Sequence, residues 1–406
     1  MLKKNGNFRF LFLGRLITNF GDSLYAIATM YLIYELTKDA FYTGVAGGVI
    51  MIPSACSFLV GPLVDRWRLK SILVYTQIIE ACIVSLIPML YILDLLNVWL
   101  IIMIMFTASC IEQIVYPAQQ AALPKLVSNE QLLSGNALMN FAYQGTDFIF
   151  MGLSGYILTK FGAINVFIFD VATFLIAAIF FRLIILENIA EPNTQKMSLK
   201  QAASNYIKEL KEGQFYVLKT IIPKLIPPLI TGNFIFGMVT AILPKFADHL
   251  SSTSYYGYLL LASTAAILLG SIIAPKLSKY PIGKVSIILY SLSSIFWFIS
   301  VCSPISIFTI IFFGLSFIPV GINNVLMTSL IQNMVSESML GRVFAWFSSA
   351  VVLFYPLGSF SGGLLSKYLS VTTVYTLGGV AFSIIALYWA IYPILRKLPS
   401  ISEMEK

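Results

Sequence analysis

The stretch 14-GRLITNFGDSLYAIAT-29 sets Arg15, Asn19 and Asp22 four and three residues apart inside an otherwise apolar run. Helical periodicity puts those positions on one face. An ionised side chain at mid-bilayer costs about 2.5–3.5 kcal/mol on insertion scales, so two in one helix call for a function or a partner. At a helical rise of about 1.5 Å per residue, Asp22 stands roughly 18 Å along the axis from Phe10, near mid-bilayer. A carboxylate at that depth is a candidate for loading and releasing a proton or binding a cation. The competing role is a buried partner for an arginine, or a cap where the helix breaks after Gly21. Arg15 sits about 10 Å lower, where snorkelling towards the headgroups accounts for it as well. The axial gap argues against a direct Arg15–Asp22 pair, and Asn19 is placed to bridge them.

The other ionisable residues away from span ends are Glu80, Glu112, Asp147 and Asp170, all in the first half of the chain. Glu112 and Asp147 join Asp22 as candidates for proton coupling, although Glu112 would also serve as an ion-pair partner for Arg15. The second half offers amide and aromatic groups instead. Asn233, Asn323, Asn324 and Tyr355, with Tyr25 from the first half, are candidate substrate contacts, as is Trp297. Such residues also act as helix glue and interfacial anchors.

The elements that must hold these residues are membrane helices. Of the 406 residues 58% are hydrophobic and 11% charged, against about 25% charged in soluble domains. The mean hydropathy is +0.86. Taking about 20 apolar residues per span, twelve are expected, near 10–34, 43–63, 71–92, 98–117, 133–158, 163–185, 221–246, 255–275, 284–302, 304–327, 340–366 and 372–394. Of the 26 Lys and Arg residues, all but Arg15, Lys38, Lys160, Lys245 and Lys367 fall on one side if the spans alternate. The positive-inside rule then places both termini in the cytoplasm. The net charge of +8 follows from that topology, so no nucleic-acid partner is expected. No removable signal peptide is expected either.

A polar stretch from Glu187 to Thr220 divides the chain. Leu199, Ala203, Tyr206, Ile207 and Leu210 recur there at helical spacing, which fits an amphipathic helix on the membrane surface or a solvated linker helix. Around it three matches repeat in order: 61-GPLVDRW-67 with 274-APKLSKY-280, 126-LVSNEQLLSGNALM-139 with 334-MVSESMLGRVFAW-346, and 154-SGYILTKF-161 with 361-SGGLLSKY-368. Two six-span halves in parallel repeat, 1–186 and 221–406, joined by a linker at 187–220, are therefore expected, with a central site between the halves. Cys56, Cys82, Cys110 and Cys302 form no CxxC pair and read as small buried hydrophobes. With His249 the single histidine and no phosphate-binding loop, neither a metal centre nor an ATP site is expected. No cofactor is expected, and no convergent nucleophile suggests an enzyme.

The loop 61-GPLVDRWRLKSIL-73 resembles the GxLaDRxGRkxxl signature of the major facilitator superfamily through Gly61, Leu63, Asp65, Arg66 and Lys70. The stretches 13-LGRLITNFGDSLY-25, 124-PKLVSNEQLLSGNAL-138, 165-NVFIFDVATF-174 and 340-LGRVFAW-346 resemble its drug:proton antiporters of the macrolide-efflux and siderophore-exporter branch. The resemblance implies an all-α membrane protein of twelve transmembrane helices in two pseudo-symmetric halves. It makes Gly61, Asp65, Arg66 and Lys70 a gating loop and puts span 4, with Glu112, on the central cavity. It places Glu80 in span 3 and Asp170 in span 6 on peripheral helices, as structural residues. Where many such antiporters carry an arginine in span 4, this chain offers Glu112. The function implied is proton-coupled export of a small amphiphilic compound by a monomeric transporter in a bacterial cytoplasmic membrane, working by alternating access. An importer or a lipid flippase of the same fold is the alternative.

Overall fold

The computed structural model describes residues 5–55, 68–128, 147–185, 220–250, 255–335 and 351–400 continuously. Residues 131, 132, 135, 138, 139, 141–145, 204, 208, 211, 212, 215, 217, 218, 252, 343 and 403 are also described, but the side chains of 55, 144, 145, 147–152 and 154 are not. Every regular element among the described residues is helical. The principal helices are α1 (Gly6–Thr37), α2 (Ala40–Ile50), α3 (Leu69–Ile92), α4 (Val98–Leu126) and α5 (Asp147–Leu183). They continue with α6 (Ile222–Leu250), α7 (Tyr255–Leu277), α8 (Ile282–Cys302), α9 (Ser306–Leu315), α10 (Ile318–Met334), α11 (Phe354–Leu365) and α12 (Val371–Ile391). Eight helical segments among the described residues are long and apolar enough to cross a membrane. In hydrocarbon the backbone must satisfy its own hydrogen bonds, and a helix does so within one segment.

Local chemistry sets the boundaries. Asp39 accepts from the Phe41 amide at 2.9 Å to start α2, Asn97 from Leu100 at 3.0 Å to start α4, and Ser370 from Thr373 at 3.1 Å to start α12. Helix α4 runs nine residues past the expected limit of 117, through Pro117 and Pro124. Prolines of this kind are tolerated in membrane helices because the freed carbonyls find other partners. The expected span 304–327 is two helices, broken at Ser316–Phe317 just before Pro319. Proline cannot continue the backbone ladder, and the Ser316 carbonyl takes a bond from the Ser293 hydroxyl at 2.8 Å instead. Helix α5 contains the break expected between 158 and 163, at Gly162, whose φ of 76° suits glycine. The repeated strings 154–161 and 361–368 both close a helix, before Gly162 and after Leu365 respectively.

The chain forms two compact units, Met1–Leu36 with Val49–Tyr206, and Thr37–Gly48 with Ile207–Lys406. In the first, Phe8, Leu11, Leu73, Ala118, Ala122 and Phe181 pack α1, α3, α4 and α5 into one core. In the second, Leu225, Ala274, Ile282, Leu326 and Trp389 do the same for α6, α7, α8, α10 and α12. Helices α6 and α11 meet through glycine: a Cβ at Gly358 would strike the Phe234 backbone, and one at Gly237 the Tyr355 backbone. Small residues let membrane helices approach this closely. Trp297, 1% exposed, anchors an aromatic core with Tyr375 at 5.0 Å and Phe313 at 5.2 Å between ring centroids. Its indole N–H donates to the Tyr375 carbonyl at 2.9 Å. Cys82, Cys110 and Cys302 lie on exposed faces, which corrects the expectation that they fill the interior. Outward positions of a membrane helix face lipid, so apolar character does not imply burial within the protein.

Candidate functional site

The first unit gathers a polar cluster on α1, and its members come from every helix packed there. Arg15 Nη1 lies 3.5 Å from Asp22 Oδ2, with side chains 11% and 14% exposed. This overturns the expectation that the two are too far apart to pair. Spacing along the axis fixes Cβ positions, whereas the long arginine side chain can lie along the helix and close the gap. The guanidinium also stacks on Tyr143, 4.7 Å from the ring centroid.

Asn19 also reaches across to a neighbouring segment. Its amide donates to the Ala142 carbonyl at 2.9 Å and the Tyr143 carbonyl at 3.3 Å. These carbonyls belong to a π-helical turn, Phe141–Gly145. Such turns open the regular ladder and often occur at functional sites, and here a buried amide binds the displaced carbonyls. The Tyr143 hydroxyl in turn donates to Gln119 Oε1 at 2.7 Å. One turn beyond Asp22, the Tyr25 hydroxyl donates to Glu112 Oε2 at 2.7 Å. The phenol, and not Arg15, is thus the hydrogen-bond partner of Glu112, and Tyr25 belongs to this cluster.

Two further carboxylates lie in the same bundle. Asp170 on α5 is 0% exposed and Glu80 on α3 is 2% exposed. Both side chains face the interior of the first unit. Gln77 Nε2 donates to Glu80 Oε2 at 2.7 Å. Asp170 packs against Gly21 of α1. Asp22 and Glu112 act electrostatically on both carboxylates, and Arg15 acts on Glu80. Around α1 the described residues thus hold Asp22, Glu80, Glu112 and Asp170 against one guanidinium. Gln77, Gln119 and Tyr143 were not picked out from the sequence. An amide inside an apolar span was the available signal for the two glutamines, because polar groups are rare there without a task.

The remaining candidates are dispersed. Asp147 opens α5, but its side chain is outside the described residues, as are Gly61, Asp65 and Arg66. Lys70 is half-buried in the first turn of α3. Leu199, Ala203, Tyr206, Ile207 and Leu210 of the linker also lie outside the described residues. In the second unit Asn323 is buried, its Oδ1 accepting from the Ser286 hydroxyl at 2.9 Å, while Asn324 is exposed. Asn233 donates to the Leu229 carbonyl of its own helix at 3.1 Å. The Tyr355 ring lies 5.8 Å from that of Phe236.

The family model described as Major Facilitator Superfamily matches residues 11–348. Macrolide efflux protein A of Streptococcus pyogenes is 24% identical over 405 residues, 95% of each chain. The uncharacterized MFS-type transporter YvqJ of Bacillus subtilis (strain 168) is 25% identical over 282 residues, 68% of this chain and 66% of that protein. Among solved structures, the nucleoside transporter NupG superposes with a TM-score of 0.65 at 14% identity, covering 94% of this chain and 98% of that one, a likeness of fold. A chain whose described regular elements are all helices, with apolar spans, a buried charge cluster in its first half and a family match across most of its length, belongs to the Major Facilitator Superfamily, and it is a multi-pass membrane transporter and not an enzyme.

Proposed function

We propose that this transporter exports a small amphiphilic compound, macrolide-like or siderophore-like, in exchange for protons. The observation that carries the reading is the excess of buried carboxylates over cations around α1, with Asp22 paired to Arg15 and Glu112 bonded to Tyr25. Carboxylates held in a low-dielectric bundle bind protons or a cationic group, and the occupant changes which interactions the helices make. A protonated Asp22 has no charge to offer Arg15, so proton binding loosens that contact and favours a different arrangement of α1. Transport follows when the substrate prefers one arrangement and the proton the other. The relation to macrolide efflux protein A supports the substrate class. The distribution of Lys and Arg supports cytoplasmic termini in a bacterial plasma membrane.

Everted membrane vesicles with an acidic lumen, given radiolabelled erythromycin, test the proposal. Accumulation in the lumen that collapses with the pH gradient is expected for the wild type, and its loss in Asp22→Asn. Flux in the opposite direction, or accumulation indifferent to the gradient, would refute it.

A further inference from the structure

Asp170 has no part in the exchange as described so far, yet it is the most deeply buried carboxylate around α1. Its Oδ1 lies 3.3 Å from the Thr173 hydroxyl, which donates chiefly to the Asp170 carbonyl at 2.7 Å. Its Oδ2 is buried and has no hydrogen-bond partner. Among the described residues no Lys, Arg or His forms an ion pair with it. The charged groups that reach it are Asp22 of α1 and Glu112 of α4, both carboxylates, while Glu80 of α3 feels Asp170 in turn. Arg15, the single cation of the cluster, is engaged with Asp22. A carboxylate enclosed among other carboxylates, without a donor on one oxygen, is expected to neutralise by taking up a proton.

Position ties this group to the exchange. A Cβ at Gly21 would collide with both the Thr173 hydroxyl and the Asp170 carboxylate. Asp170 therefore lies directly on the α1 backbone beside the residue that precedes Asp22. The absence of a side chain at 21 is what admits it. We propose that Asp170 is a second proton-binding residue, coupled to Asp22 across Gly21, an inference that rests on the proton-exchange reading above. In the exchange step the O–H bond at Asp170 breaks and one forms at Asp22. The negative charge moves from Asp22 to Asp170, and Arg15 is released from its partner. Glu80, held by Gln77, also interacts electrostatically with Asp170.

Infrared difference spectroscopy of the purified full-length protein, stepped from about pH 5 to about pH 9, reads the C=O stretch of protonated carboxyl groups without any substrate. Asp170→Asn is nearly isosteric and should remove one titrating carboxyl band. Thr173→Val keeps the carboxyl and removes the nearby hydroxyl, so it should shift the same band without removing it. Spectra of both variants superimposable on the wild type would overturn the proposal. The erythromycin assay separates this result from the proposed function. If the band is lost in Asp170→Asn while wild-type flux ignores the pH gradient, the site stands and antiport fails. If flux follows the gradient and the spectrum of Asp170→Asn is unchanged, the site fails and antiport stands.

Discussion

Replacing Arg15 by Met and Asp22 by Asn, singly and together, tests whether the buried pair is an energetic unit. At the observed 3.5 Å, the Coulomb attraction is about 5 kcal/mol at an effective dielectric of about 20. Most of it is offset by the cost of removing both groups from water, so the pair contributes little net stability against neutral replacements. Removing one partner is different, because the other charge stays buried and uncompensated, at about 3–5 kcal/mol. Each single variant should therefore unfold more easily by about 3 kcal/mol, discounted slightly for the stacking of Arg15 on Tyr143 that survives in Asp22→Asn. The double variant should be no worse than either single one, a coupling of at least about 3 kcal/mol. Equilibrium unfolding in mixed micelles, followed by tryptophan fluorescence, measures all three. Single effects that add to within about 0.5 kcal/mol would show that the contact carries no energy and that the argument from geometry is wrong.

Other substitutions probe separate parts of the molecule. Glu112→Gln leaves an oxygen to accept from Tyr25, so it should preserve thermal stability yet abolish erythromycin flux driven by the pH gradient; an active variant would remove Glu112 from the coupling set. Gly358→Ala forces a methyl group onto the Phe234 backbone and should cost about 1–3 kcal/mol. Gly232→Ala, where nothing lies within 4 Å, should be neutral or stabilising by up to about 1 kcal/mol, and thermal unfolding in detergent compares the two. Trp297→Phe keeps most of the aromatic packing but loses the bond to the Tyr375 carbonyl, an expected loss of about 1 kcal/mol in the same measurement.

Much of the architecture was legible because membrane helices satisfy their backbones locally. Hydropathy placed α3, α6, α7, α8 and α12 to within a few residues. The gap expected between 158 and 163 falls at Gly162, whereas the break before Pro319, inside the expected span 304–327, was missed. The run past Pro117 to Leu126 was missed, because a proline ends a helix in water more reliably than in a packed membrane bundle.

The site was legible only in part. From the sequence came the concentration of ionisable residues in the first half, the shared face of Arg15, Asn19 and Asp22, and Glu112 as a candidate. These depend on residue type and helical period alone. Which groups touch was decided by the packing of α1 against α3, α4 and α5. Packing turned Asn19 towards the π-helical turn, gave Glu112 its phenol and laid Arg15 along the helix to Asp22. It also sealed Asp170 against Gly21. A hydrogen bond needs partners within a few tenths of an ångström, whereas periodicity specifies only a direction around an axis. The sequence by itself therefore determined that charge is concentrated in the first half, and the tertiary structure determined which carboxylate pairs with a cation and which is sealed against Gly21.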